Sequence, residues 1–374
     1  MKVLYIGNYR DGTGWANACA GNILALDAVD LSVVPRAISF QAGDQDYPDR
    51  IKELEHKHRK RSSNCDCNVV VQHTLPHLYC YHHDYKNIGF FDTESSDFSV
   101  TGWQYSANMM DEIWVPSQQN LEAAQRSGVT VPIKIVPHSI DSLQYQEVEG
   151  EKIKEMEQQF TFGFVGEFIE RKNIAALVKA FHITFDPTEP ANLFLKTSRA
   201  DLGQVQDYCT HIKRGLKIRR DYKEEIIVSG IMPKQDYVSV LNQVNRFVMP
   251  SRGEAFCIPA LEAMTLGIPC LYTEGIGMDF CIGQAIESRL TPCFGAVDTL
   301  PDVDTAATMW LEIDVLKLSK AMRKASGTTG PLMAILTIHC CTSGLLGIGF
   351  THHSRHVGIS TIPFNNLLTP TSIL

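Results

Sequence analysis

The sequence carries no excess of positive charge. Its 34 lysines and arginines are outnumbered by 42 acidic residues, for a net charge of −8, so no bulk attraction to nucleic acid is expected. Its most apolar late stretch, 332–350, is interrupted by His339, Gly344, Gly347 and Gly349. A membrane-spanning helix needs about 20 mostly apolar residues in succession. No signal-peptide pattern opens the chain, because the apolar run in Met1-Lys-Val-Leu-Tyr-Ile-Gly7 ends too soon. The 11 cysteines are scattered and odd in number, which fits reduced thiols in a cytoplasmic protein better than a disulfide framework. Cys65, Cys67, His73, His77, Cys80, His82 and His83 are zinc-binding types, but their spacing is not that of a zinc finger. Val69–Val71 reads as a buried strand between them, so no metal is assigned. His73, just after that strand, is of more interest as a cleft residue. Charge is also nearly missing from the last fifty or so residues: from Ala325 to Leu374 only Arg355 carries it.

What is present begins with length. A chain of 374 residues that is 44% hydrophobic has material for two cores. Phe247 to Cys270 then reads as strand, loop, helix and strand. Phe247-Val-Met249 ends a buried strand, and Pro250 to Phe256 form the loop. Pro259 suits the first turn of a helix, where its missing N–H costs nothing. Leu261 and Met264 supply the buried face, and Gly267 with Pro269 stops the helix. Two carboxylates punctuate this unit: Glu254 in the loop and Glu262 inside the helix. Ligands of open α/β sheets bind outside the carboxyl ends of the strands, and a helix start there suits a phosphate. One carboxylate on each side of a diphosphate matches the layout of a nucleotide-sugar. An ordinary α/β protein also places glutamates in such positions, and spacing alone leaves that reading open.

The whole run Pro250-Ser-Arg-Gly-Glu254-Ala-Phe-Cys-Ile-Pro-Ala-Leu-Glu262-Ala-Met264 resembles the E-x7-E signature of GT-B glycosyltransferases, in particular family 4 (glycosyl transferases group 1). The resemblance implies an α/β chain of the GT-B fold: two facing Rossmann-like domains with a cleft between them, a donor in the second, and transfer with retention at the anomeric carbon. It places an N-terminal, acceptor-side domain at 1–141 and a donor domain at 142–326. An atypical uncharged tail at 327–374 is expected to be loosely packed and without catalytic residues. The apolar tail leaves a peripheral membrane contact open.

In the first half, Gly12 and Gly14 lie in a glycine-rich turn between the strand Val3–Ile6 and the helix Ala16–Leu26. Such a turn lets a phosphate or sugar approach the backbone, and the resemblance places it near donor or acceptor. The third glycine of a dinucleotide fingerprint is misplaced. The strand Ile88–Phe91 ends in Asp92 and Glu94. The resemblance implies a catalytic-region side chain after that strand and does not separate the two. Asp92 as a simple cap is the alternative. Val131 to Asp141 resembles the crossover into the hinge.

A strand restarts at Phe160–Gly166, and Arg171 and Lys172 stand before the next helix, with Asn173 as its expected cap. Two cations beside a helix start make an anion site that would hold the diphosphate. The family pattern often has an arginine directly after the strand glycine, where this chain has Glu167. Lys196 closes the strand beginning at Ala191, and Ile231 lies in a loop that resembles the seat of a nucleotide base. Trp310–Arg323 resembles the start of the family's closing helices. Asp302 and Asp304 are not read as a metal motif.

The expected function is a metal-independent, retaining transfer of a sugar from a nucleoside-diphosphate-sugar to an acceptor hydroxyl on a glycan, lipid or small molecule. Neither a cofactor nor nucleic acid is involved. Glu262 is assigned to the ribose and Glu254 to the donor sugar, with Asp92 or Glu94 in the catalytic region. Amides of Phe256, Cys257 and Ile258 finish the phosphate site. A non-catalytic nucleotide-sugar-binding protein and a GT-B-fold epimerase are the alternatives.

Overall fold

The computed structural model describes residues 1–39, 46–58, 66–145, 149–198, 200–219, 221–293 and 308–327, with the backbones of 336–341 and 345–350. These residues form two compact units. One contains Met1–Thr93 and Asp97–Asp141, together with the hairpin described below, and the other contains Glu94–Ser96 and Ser142–Met333.

In the first unit the strands are β1 (Lys2–Gly7), β2 (Ser32–Ala37), β3 (Val69–His73), β4 (Lys86–Phe90), β5 (Glu112–Val115) and β6 (Ile133–Ile135). The helices are α1 (Gly14–Ala28), α2 (Asp49–His58), α3 (Trp103–Ala107) and α4 (Gln118–Arg126). The sheet is parallel throughout, in the order β2-β1-β3-β4-β5-β6. β3 is buried at every position, as a strand covered on both faces must be. Pro35 sits in β2, at the sheet edge, where a missing N–H is tolerated. Val3, Ile23, Leu26, Val69, Val71 and Ile88 pack into one core with Trp114. Thr13 caps α1 by accepting from the Ala16 amide, and Ser117 caps α4 through the Asn120 amide.

The second unit contains β7 (Phe160–Val165), α5 (Ile174–Thr184), β8 (Ala191–Thr197), α6 (Leu202–Leu216), β9 (Ile226–Ser229) and α7 (Lys234–Leu241). It continues through β10 (Arg246–Met249), α8 (Ile258–Thr265), β11 (Cys270–Thr273), β12 (Gly283–Ile286), β13 (Ser288–Pro292), β14 (Met309–Ile313) and α9 (Val315–Ser326). Its six-stranded parallel sheet runs β12-β11-β10-β7-β8-β9. Phe162, Phe181 and Phe185 form an aromatic cluster inside it.

Three local expectations are corrected. Trp310–Arg323 is not one helix: Trp310 lies in β14, which pairs antiparallel with β13, and the helix begins after Asp314 caps it. Asn173 does precede α5, but its backbone is left-handed (φ 51°) and its side chain makes no cap bond, donating instead to Glu312 Oε1 at 3.1 Å. Cys67 is disulfide-bonded, unlike the described free thiols Cys19, Cys80, Cys209, Cys257, Cys270, Cys281 and Cys293. In the tail, β15 (Leu336–Cys341) and β16 (Leu345–Phe350) pair as an antiparallel hairpin; the rest of the tail beyond Gly327, like Asp302 and Asp304, lies outside the described residues. Among the described residues, no helix is long and apolar enough to cross a membrane.

Candidate functional site

The second sheet reverses its strand order between β7 and β10. At such a switch point the loops after the two strands diverge and leave a crevice at the carboxyl edge. Here those loops carry Arg171 and Lys172 on one side and Glu254 on the other. Lys172 Nζ donates to Glu254 Oε1 at 2.7 Å, and Arg171 Nη1 stands 3.5 Å from Glu254 Oε2. Arg171 also donates to the Gly253 carbonyl at 2.6 Å and lies 3.4 Å from Glu94. Glu254 is only 5% exposed. Burial raises its pKa, but the charges of Lys172 and Arg171, with hydrogen bonds from Lys172 and Ser251, outweigh burial and hold the carboxyl below its ordinary value.

The loop packs tightly. A Cβ on Gly253 would lie 2.1 Å from the Glu94 carbonyl oxygen, and one on Gly277 would lie 2.1 Å from that of Ala255. The Gly277 amide donates to Glu254 O at 2.8 Å, which joins the loop after β11 to the loop after β10. Phe256 stacks on Phe280 at 4.3 Å. Cys257 occupies the N-cap position of α8 without a side-chain cap bond, and Pro259 falls in the first turn. Cys257 is buried, and burial followed by the nearby Glu254 charge pushes its thiol pKa up, so it stays protonated. Ile258 opens the helix.

Glu262 is buried on α8 and surrounded by donors. Tyr237 OH donates to Oε2 at 2.5 Å, Lys234 Nζ to Oε1 at 2.7 Å, and Tyr145 OH also to Oε1. Lys234 Nζ sits 4.4 Å from the centre of the Tyr145 ring and 5.2 Å from that of Tyr237, within cation–π range. Sequence reasoning did not bring Tyr145 or Lys234 to this site. Tyr145 comes from the segment just after the expected domain division at 141/142, and no local pattern marks it. Lys234 and Tyr237 are three apart on α7, a spacing that places both on one helix face.

Lys196 lies near the end of β8, and Ile231 follows β9. Lys196 is buried, and its Nζ donates to the carbonyls of Thr197 at 2.9 Å and Gly230 at 2.5 Å. Burial lowers its pKa, while the charge of Glu167 raises it. Its ammonium is thus spent on joining the ends of β8 and β9. Ile231 is 82% exposed in the loop after β9.

In the first unit, Gly12 takes a left-handed backbone (φ 71°) that suits glycine. Gly14 does not need to be glycine for space, since a Cβ there would meet nothing within 4 Å. Asp11 holds the turn by accepting from the Thr13 amide at 3.0 Å and hydroxyl at 2.6 Å. Asp92 and Glu94, indistinguishable by sequence, separate in the structure. Glu94 belongs with the second unit and faces Arg171. Asp92 belongs with the first, where Oδ2 lies 3.0 Å from His138 Nε2. His73 packs beside them, its ring 5.6 Å from that of His138 and stacked on Phe90 at 4.2 Å. Burial drives the His73 pKa down to about 3 despite Asp92 nearby. Burial raises that of Asp92, but His138 and His73 more than offset this and keep it below its ordinary value. His73 is therefore neutral and Asp92 ionised at neutral pH.

With this geometry in hand, comparison with known proteins bears on both units. Residues 146–282 match the family described as "Glycosyl transferases group 1". Over 116 residues the chain is 29% identical to an Escherichia coli enzyme titled "Serotype-specific mannosyltransferase WbdA". That match spans 30% of this chain and 13% of that enzyme. A sucrose-phosphate synthase from Thermosynechococcus elongatus superposes with a TM-score of 0.54 at 14% identity, covering 87% of this chain and 89% of the other. WaaG, a glycosyltransferase involved in lipopolysaccharide biosynthesis, gives 0.54 at 14%, covering 88% and 91%. An E. coli structure titled as bound with UDP-2-fluoro glucose gives 0.57 at 8%, covering 88% and 92%. The chain has the GT-B fold. Its two parallel, helix-flanked sheets are the two Rossmann-like domains of that fold, and over residues 146–282 it is related to GT-B glycosyltransferases.

Proposed function

We propose that this chain is a retaining glycosyltransferase that moves a sugar from a nucleoside-diphosphate-sugar to an acceptor hydroxyl in the cytoplasm. One observation carries the reading: Arg171 and Lys172 meet Glu254 at the switch point, and Glu262 lies buried on the helix that follows. The two cations offer a diphosphate the compensation that it needs on leaving. The amides of Phe256, Cys257 and Ile258, at the uncapped start of α8, add a positive dipole end. Glu254 then accepts from donor-sugar hydroxyls and Glu262 from the ribose. The ribose must compete with Tyr145, Tyr237 and Lys234 for Glu262 oxygens. Bond breaking at the anomeric carbon develops oxocarbenium character, as in glycoside chemistry generally; the bonding electron pair leaves with the diphosphate, and Lys172 and Arg171 stabilise the negative charge that grows on it.

Retention, the hexosyl character of the donor, the family-4 assignment and a domain division at 141/142 follow the resemblance. So does a catalytic-region role for Asp92 or Glu94, with Gly12 and Gly14 as the turn approached by substrate. Lys196 and Ile231 remain on the donor side of this reading, Lys196 as a clamp between strand ends and Ile231 as an apolar surface for a base. The deciding experiment is a panel of nucleoside-diphosphate-sugars with and without simple sugar and lipid acceptors. Acceptor-dependent release of nucleoside diphosphate supports transfer. Conversion of the donor without release identifies an epimerase, and binding without either identifies a non-catalytic binder.

A further inference from the structure

We propose that His73, Asp92 and His138 form a binding site for a divalent transition metal, with zinc the best match. These residues come from the end of β3, the segment after β4 and the segment after β6, so the site is assembled at the carboxyl edge of the first sheet. One ligand atom from each lies within 4.8 Å of the others. The short edge, His138 Nε2 to Asp92 Oδ2, is 3.0 Å.

The second observation is coordinating capacity left over. His73 is fully buried, and among the described residues its Nε2 has no hydrogen-bond partner; neither has Asp92 Oδ1. A buried polar atom without a partner costs free energy. The hydrogen bond between His138 and Asp92 uses one carboxylate oxygen and leaves the other oxygen and His73 Nε2 idle. A metal ion would engage both.

The surrounding groups match what metal-bound histidines require, namely a partner on the second ring nitrogen. His73 Nδ1 lies 2.8 Å from Tyr5 OH and 3.1 Å from Cys19 Sγ. A proton on Nδ1 leaves Nε2 as the ligand. His138 Nδ1 lies 3.3 Å from the Asn22 amide, whose Oδ1 has no partner among the described residues. Metal binding at His138 Nε2 displaces the proton there. Nδ1 then carries the ring proton, and the amide turned end for end accepts it on Oδ1. Two imidazoles and a carboxylate favour zinc over magnesium or calcium, which take oxygen ligands. Three protein ligands leave a coordination position open.

This inference does not rest on the transfer reading, although Asp92 is common to both, and its readout is metal rather than turnover. The full chain, freed of metal by chelation and dialysis, is titrated with Co²⁺ and then Zn²⁺. One equivalent of Co²⁺ is expected to give visible ligand-field bands that Zn²⁺ abolishes. His73→Gln and Asp92→Asn should each weaken binding at least about tenfold, whereas His82→Ala should not. No bands at equimolar cobalt, or an affinity unchanged in both variants, overturns the site. Should the variants not fold, the imidazole nitrogen resonances of His73 and His138 in the wild-type chain, read by NMR with and without one equivalent of Zn²⁺, decide. Ring-nitrogen shifts unchanged by Zn²⁺ overturn the proposal.

Discussion

Lys172 Nζ lies 2.7 Å from Glu254 Oε1, so a cation expected to serve the diphosphate and a carboxylate expected to serve the sugar are partners in the free protein. Their side chains are 13% and 6% exposed. Removing one member of such a pair leaves the other charge buried, which is more costly than the pair itself is stabilising. Lys172→Met should therefore destabilise the protein by about 1–3 kcal/mol, less than for an isolated buried pair, because Arg171 remains beside Glu254. Lys172→Met with Glu254→Gln should recover part of that stability and none of the nucleoside-diphosphate binding. Urea unfolding with calorimetry checks both, and a double variant that binds like wild type would remove Lys172 from the phosphate site.

Glu262 accepts from Tyr145, Tyr237 and Lys234. If it also accepts from a ribose, Glu262→Ala should weaken nucleoside-diphosphate binding by about 1.5–3 kcal/mol, the value of a hydrogen bond to a charged group. Binding of inorganic pyrophosphate, which has no ribose, should change much less. Equal losses for both ligands would assign Glu262 to holding α7 and α8 together rather than to substrate.

How far the site was legible in the sequence follows from how local each signal is. Pro259, Gly267 and Pro269 punctuate α8 within a dozen residues, and the strand–loop–helix–strand reading rests on them. Arg171, Lys172 and Glu254 were legible as candidates because each lies in a segment that follows a strand. Their mutual pairing was not, since it spans about eighty residues and depends on the β7–β10 adjacency. Tyr145 reaches Glu262 across 117 positions, and nothing nearby announces it. Asp92 and Glu94, two residues apart, cluster with different units, because one finds His138 and the other Arg171. The loop after β4 thus contributes to two environments that no periodicity separates.

Gly253 is constrained by space rather than by its backbone angle. A methyl group there would meet the Glu94 carbonyl at 2.1 Å, and a backbone atom cannot swing aside as a side-chain end can. Gly253→Ala should destabilise by roughly 1–3 kcal/mol, the usual range for overpacking, and should disturb Arg171, which donates to the Gly253 carbonyl. Thermal unfolding and nucleoside-diphosphate calorimetry should both register the change. An unperturbed melting temperature would show that the Glu94 segment yields freely.

If Lys172 and Arg171 offset the charge of a diphosphate bound after β7 and β10, no divalent ion is needed there. Magnesium or manganese should leave nucleoside-diphosphate affinity unchanged within about twofold, and neither should rescue Lys172→Met. A tenfold gain, about 1.4 kcal/mol, on adding either ion would mean that the metal, not Lys172 and Arg171, carries the phosphate.

Acid should expose the same pair. Burial raises the Glu254 pKa, but Lys172 and Arg171 bring it below the ordinary carboxyl value, and burial at Glu225 is likewise outweighed by His182 and Lys213. A carboxyl whose folded pKa is depressed binds fewer protons folded than unfolded, so its contribution to stability is complete above the unfolded value of about 4.3. That contribution is lost as pH falls through the folded value. Wild-type stability should therefore decline only below about pH 5. In Lys172→Met the strongest opposing charge is gone, burial then dominates at Glu254, and its pKa rises. Once it exceeds the unfolded value the sign reverses: Glu254 takes up a proton on folding, and its contribution to stability then grows as pH falls. Melting temperatures from about pH 7 down to about 3 should show the gap between wild type and Lys172→Met narrowing with acid. A gap that stays constant through that range would mean that Glu254 does not titrate differently in the two proteins, and that the 2.7 Å contact does not set its charge.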